Sequence, residues 1–157
     1  MDPEKIKKIL LEKFPEKIKE KEVCDFSPAF EVDKDIILEV CRFLKESQEL
    51  SYNLLSCMVG VDRGDGFEVI YCLFSFSQKH KFTLKVPLPK DNPEIESVTP
   101  IWNAANWHER EIAELFGIKF LNHPDPRGIL LPEDWDEGYP MRKDWEGKDF
   151  VRLPEKK

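Results

Sequence analysis

Residues 50–86 read LSYNLLSCMVGVDRGDGFEVIYCLFSFSQKHKFTLKV. Arg63-Gly64-Asp65-Gly66 is a strong turn signal at the centre of this stretch. The runs on either side, 50–61 and 67–77, have the Val, Ile, Tyr and Phe content of strands. A polar turn at 78–81 leads to Phe82, Leu84 and Val86 alternating with Thr83 and Lys85, the period of a half-exposed strand. Three adjacent antiparallel strands joined by short turns make a meander, which leaves an apolar face to be covered.

The covering elements lie upstream. Pro3 sits where a first helical turn tolerates it, and Ile6, Ile9, Leu10 and Phe14 recur at helical spacing before Pro15. Residues 17–26 alternate loosely as a strand, and 29–32 as a second short one. Asp33 or Asp35 can cap a further helix on which Ile37, Val40, Cys41 and Leu44 form one stripe. The expected fold is α+β: an antiparallel sheet with helices packed on one face, over residues 1–117. Residues 118–157 are expected to be an extended Pro/Gly-rich C-terminal tail that binds a partner.

Between the two lies WHEREIAELFGIKF, residues 107–120. Asn106 is a candidate N-cap, with Glu109 three residues on completing a capping box, and Gly117 is the expected residue beyond the helix end. On this reading His108, Ile112, Leu115 and Phe116 share an apolar side. Arg110, Glu111 and Glu114 share a solvated one. After Ile118, proline or glycine recurs at 124, 126, 128, 132, 138, 140, 147 and 154. The same segment carries Phe120, Trp135, Tyr139, Trp145 and Phe150, which disordered tails usually lack. A structureless loop of about forty residues is rare inside a compact domain. Because the sheet and helices already use much of the chain, a partner surface is the expected home for these rings.

Composition narrows the function. With 157 residues and 41% hydrophobic content the chain fits one globular domain. Its net charge is −7 and its N-terminal lysines alternate with glutamates, so it has no basic footprint for nucleic acid. No apolar run is long enough to span a bilayer, and Met1 is not followed by a signal-peptide core, so a cytoplasmic location is expected. Cys24, Cys41, Cys57 and Cys72 are evenly spread without a C-x-x-C pair, and read as buried free thiols.

Carboxylates at Glu109, Glu111 and Glu114, with imidazoles at His80, His108 and His123, are the acid–base candidates. Neighbours in sequence do not face one another on a helix, and Arg110 favours the ionised carboxylate, which is wrong for a general acid. His108-Glu109 opens like a zinc-protease motif, but Ile112 stands where its second ligand belongs. The residues therefore leave two readings: an assembly domain, or an autonomous enzyme or small-ligand binding domain with a site around Glu109, Glu111 and His123.

A resemblance favours the first. Glu109-Arg110-Glu111, Glu114, Leu115-Phe116-Gly117-Ile118, His123-Pro124, Arg127, Ile129-Leu130, Glu137-Gly138-Tyr139-Pro140 and Arg142-Lys143-Asp144 occur in order. Over about residues 99–146 this resembles the thirty-kilodalton subunit family of complex I (NADH:quinone oxidoreductase), also found in related membrane-bound nickel–iron hydrogenases. The resemblance implies a non-catalytic peripheral-arm subunit without cofactor or metal of its own. Iron–sulfur clusters and the NAD, ferredoxin or nickel–iron centre would belong to partner chains. It implies docking on the large subunit of the complex, the homologue of the hydrogenase large subunit, with contacts to iron–sulfur subunits. The location would be peripheral to the inner face of the cell membrane. The expected partner-binding set is Glu109, Arg110, Glu111, Glu114, Phe116, Gly117, His123, Pro124, Arg127, Trp135, Gly138, Pro140, Arg142, Lys143 and Asp144. Arg110, Glu111 and Glu114 are expected to make charge-assisted hydrogen bonds, either to the tail or across the interface, with Arg127, Arg142 and Lys143 as the basic groups that complement them.

Overall fold

A computed structural model describes residues 3–24, 27–148 and 151. Helix α1 (Pro3–Lys13) precedes strands β1 (Ile18–Cys24) and β2 (Ser27–Val32). After a 3₁₀ turn comes α2 (Ile37–Glu46), then the meander β3 (Leu54–Asp62), β4 (Gly66–Ser75) and β5 (His80–Pro89). Strand β6 (Glu94–Glu96), helix α3 (Ala105–Phe116) and strand β7 (Lys119–Leu121) complete the regular elements. The α+β fold and the meander are as read from the sequence.

The five-stranded sheet runs β1-β2-β5-β4-β3. Its pairs are antiparallel except β2 with β5, which is parallel, with Phe30 opposite Leu84. One face carries Phe30, Val32, Met58, Phe67, Val69, Tyr71, Leu73, Phe82, Leu84 and Val86, all buried. Against it lie Ile6 and Leu10 of α1 and Ile37, Val40, Cys41 and Leu44 of α2, as their spacing requires. Asp33 accepts from the Asp35 amide at 2.9 Å, capping the 3₁₀ turn rather than α2 itself. Cys41 is buried and Cys57 and Cys72 are half-buried, and none of the three is in a disulfide.

Helix α3 closes the same face at the β3 edge. Gly60 permits this approach, since a Cβ there would meet Ile112 and Phe116 at 2.9 Å. The second, two-stranded sheet pairs β6 with β7 in parallel, setting Ile95 beside Phe120 and returning the chain past the start of α3. Residues 122–148 are irregular. Phe150 and Pro154, counted above with the tail, lie outside the described residues.

Candidate functional site

The residues singled out by sequence converge on α3 and the segment that follows it. The helix begins at Ala105 after an Ala104 cap with no side-chain bond, so the capping box is overturned. Glu109 is fully buried. The covered stripe is Ala105, Glu109, Ile112 and Phe116, at offsets of four, seven and eleven, and His108 lies off it.

The Glu109 carboxylate is satisfied by residues that sequence reasoning missed. It accepts from Ser97 Oγ at 2.6 Å and the Val98 amide at 2.7 Å, in the turn between β6 and α3. Ser97 Oγ also lies 2.7 Å from Thr99 Oγ1. Desolvation pushes the Glu109 pKa up to about 7, against the lowering effect of those two donors. His123 Nε2 stands 3.7 Å from Glu109 and 3.2 Å from the Asn106 carbonyl. Its Nδ1 accepts from the Asp125 amide at 3.0 Å, so the geometry suits the Nε2–H tautomer. Glu109 and His123 are thus brought together, whereas Glu111 is exposed elsewhere on the helix. The proposed trio of Glu109, Glu111 and His123 is not assembled.

Two side chains on the outer side of α3 hold the tail. Glu114 accepts the amides of Ile129 (2.9 Å), Leu130 (2.8 Å) and Leu131 (3.0 Å). Burial would raise its pKa, but the three amides and Arg110 bring it below the ordinary carboxylate value. Arg110 donates to the Arg127 carbonyl at 2.7 Å and the Gly128 carbonyl at 3.3 Å, lies 3.5 Å from Asp125, and rests on the Trp107 ring. The acid's counterparts are therefore main-chain groups, not the basic side chains expected. Arg127 turns instead to Asp125, at 2.6 and 2.9 Å, and its guanidinium holds that carboxyl down to about 2. Pro124 is exposed in the same turn.

The tail is attached again at the C-terminal end of α3. Gly117 has φ 71°, and a Cβ there would run into Tyr139 and Arg142. Arg142 donates to the Phe116 carbonyl at 2.7 Å and lies over the rings of Phe67 and Tyr139. The Met141 amide reaches the Leu115 carbonyl at 3.1 Å. Asp62 joins the tail to the β3–β4 turn: its carboxylate takes the Gly64 amide at 2.7 Å and the Lys143 amide at 2.8 Å. The Asp62-x-Gly64 spacing is a legible Asx turn, but its second partner, 81 residues on, is not. Trp135 bonds the Gly138 carbonyl and stacks near Trp145 at 6.2 Å, while Pro140 is half-buried and Asp144 pairs with Lys90 at 3.1 Å.

Between helix and tail a groove of 790 Å³ is lined by Trp107, Arg110, Glu114, Leu131, Trp135 and Tyr139, among others. Of its lining Trp107 and Tyr139 are exposed, at 63% and 41%, and in the same tail Leu130 and Met141 are exposed, at 58% and 55%. Among the described residues no group of three or more His, Cys, Asp and Glu side chains is placed to hold a metal ion. Nor is any helix there long and apolar enough to cross a membrane.

An α+β domain whose last helix straps an irregular, ring-bearing tail to itself is the class this geometry defines. Residues 30–151 match the family model described as "Respiratory-chain NADH dehydrogenase, 30 Kd subunit", and the chain belongs to that family. It is 40% identical over 153 residues to the C subunit of NADH-quinone oxidoreductase from Chloroherpeton thalassium, covering 94% of this chain and 63% of that one. It is 42% identical to the C subunit of F(420)H(2) dehydrogenase from Methanosarcina mazei, over 94% of each chain. The chain thus spans less than two thirds of the first of these and nearly all of the second. Among solved structures it resembles a trypsin-resistant fragment of Nqo5, with TM-score 0.64, 26% identity, and coverage of 76% and 98%. It also resembles a chain of the membrane-bound sulfane sulfur reductase, an archaeal respiratory membrane complex, with TM-score 0.67, 25% identity, and coverage of 98% and 96%.

Proposed function

We propose that the chain is a non-catalytic subunit in the peripheral arm of a complex I-type oxidoreductase or a related membrane-bound complex. It docks on the large subunit through α3 and the tail, and supports assembly of the electron-transfer module. Cofactors belong to the partner chains, and contact with the membrane is indirect, on its inner face.

The observation that carries this reading is the double fastening of the tail. Arg110 and Glu114 spend their charge on main-chain groups of the same chain, so they shape a surface rather than await a substrate. Fastening the backbone leaves Leu130, Tyr139 and Met141 turned outward with Trp107. Exposed large apolar groups clustered beside a groove are characteristic of protein contact sites. The names of the relatives, each the C subunit of an oxidoreductase or dehydrogenase, agree with it.

The test is co-purification of the tagged chain with the large subunit after Leu130→Asp and Met141→Asp. Both side chains are exposed, so the isolated chain keeps its melting temperature while recovery of the large subunit falls at least tenfold. Undiminished recovery contradicts docking through this surface. Quinone or ferricyanide reduction by the purified chain alone contradicts the non-catalytic role.

A further inference from the structure

The helices cover one face of the five-stranded sheet; the other face has an unusual composition. An antiparallel sheet with one open side alternates apolar residues inward with polar residues outward. Strands β5, β2 and β1 do this at Lys81 and Lys85, Glu31, and Lys19 and Lys21, while Thr83 and Ala29 on the same side are buried between them. Strands β3 and β4 do not. Their outward residues are Leu54, Cys57, Val59 and Val61, and Ile70, Cys72 and Phe74, with Phe76 beyond the strand end. Val59 is 41% exposed and Phe76 61%. Among the described residues Glu68 is the one charged group on this part of the face, and it is engaged by Arg63.

The stripe has a definite width and a charged border. Two strands span about 10 Å, one helix diameter. Along its side Lys81 lies opposite Phe74 and Lys85 opposite Ile70. Neither lysine has an ion-pair partner among the described residues, nor has Lys19. Among the described residues of this face the cations Lys19, Lys21, Arg63, Lys81 and Lys85 stand against the carboxylates Glu31 and Glu68. This positive excess sits on a chain of net charge −7.

We infer that the open face of the sheet is a second docking surface, taking an amphipathic helix of a partner protein laid along β3 and β4. The helix's apolar side covers Val59, Ile70, Cys57, Cys72 and Phe74, and an acidic flank meets Lys81 and Lys85. Four residues along a strand span about 13 Å, or between two and three helical turns, which sets the spacing of the acids. A second copy of this chain fits less well, because its lysine border would meet the same border. An anionic membrane is disfavoured by the chain's overall charge. This inference rests on the proposed function only in taking the chain to sit in a multi-subunit complex.

Cys57 and Cys72 lie in the stripe and report on it directly. The complex, purified through a tag on this chain, and the isolated chain are treated with N-ethylmaleimide, and each site is followed by peptide mass spectrometry. Alkylation of Cys57 and Cys72 is at least tenfold slower in the complex, while buried Cys41 is slow in both. Lys81→Glu with Lys85→Glu leaves the isolated chain's melting unchanged and speeds alkylation of both thiols in the complex at least threefold. Equal rates in complex and isolated chain overturn the inference while leaving docking through α3 and the tail intact. Failure to recover any complex overturns both readings. Slowing in the isolated chain by phosphatidylglycerol vesicles, or by raising its own concentration, overturns the helix in favour of a membrane or a second copy.

Discussion

Removing the Glu114 carboxylate is the most informative single perturbation of the helix–tail unit. In Glu114→Ala the amides of Ile129, Leu130 and Leu131 lose their shared acceptor together. A hydrogen bond to a charged group contributes about 1.5–3 kcal/mol. The three order one short loop and are not additive, so about 3–4 kcal/mol of local stability is at stake. At about 1.4 kcal/mol per factor of ten, native-state hydrogen exchange at those three amides speeds up by roughly 10² to 10³. Core amides of β4 and β5 keep their rates, because their partners are other strands. Glu114→Gln falls between, since one amide oxygen can keep two of the bonds. Acid reproduces the effect. The folded pKa is below the ordinary 4.5, so the contribution is full above that value and disappears as pH falls through the lower folded one. Wild-type exchange rates at residues 129–131 in Glu114→Ala would refute the clamp.

Three further outcomes follow from the same geometry. Glu109 has the opposite linkage: its pKa rises from 4.5 to about 7 in the fold, so its ionisation destabilises the protein increasingly from pH 4.5 to 7. Glu109→Gln, which keeps an acceptor for Val98, therefore gains stability relative to wild type by roughly 3 kcal/mol across that window; urea unfolding at pH 4.5 and 8 measures it, and a pH-independent difference contradicts it. Gly117→Ala places a Cβ at φ 71° against Tyr139 and Arg142, lowering stability by about 1–3 kcal/mol, read from thermal melting. Arg142→Ala removes the bond to the Phe116 carbonyl and the contact with two rings, so amides of residues 141–143 exchange faster while α2 is unaffected.

The local part of this architecture was legible and the long-range part was not. Alternation and the Arg63-Gly64-Asp65-Gly66 turn specify the meander because its strands are neighbours in sequence. Gly117 marks the end of α3 because a left-handed cap needs no distant partner. The parallel pairing of β2 with β5 carries no local signal, since Phe30 and Leu84 meet only through the fold. Glu109 was misread as completing a capping box because Asn106 stands three residues before it, whereas its donors Ser97 and Val98 lie in the preceding turn. Its offsets from Ala105, Ile112 and Phe116 were the available clue. Arg110 and Glu114 were correctly marked for hydrogen bonding, but main-chain partners leave no trace in the identity of the residues that supply them.

The central claim is that α3 and the tail strapped to it form the surface by which this chain joins its complex. Hydrogen exchange of the chain, alone and within the purified complex, tests it most directly. The account predicts that residues 127–143 and the outer side of α3 around Trp107 become at least tenfold slower on assembly, while buried amides of β4 are unchanged. Equal rates for residues 127–143 in the two states would contradict it.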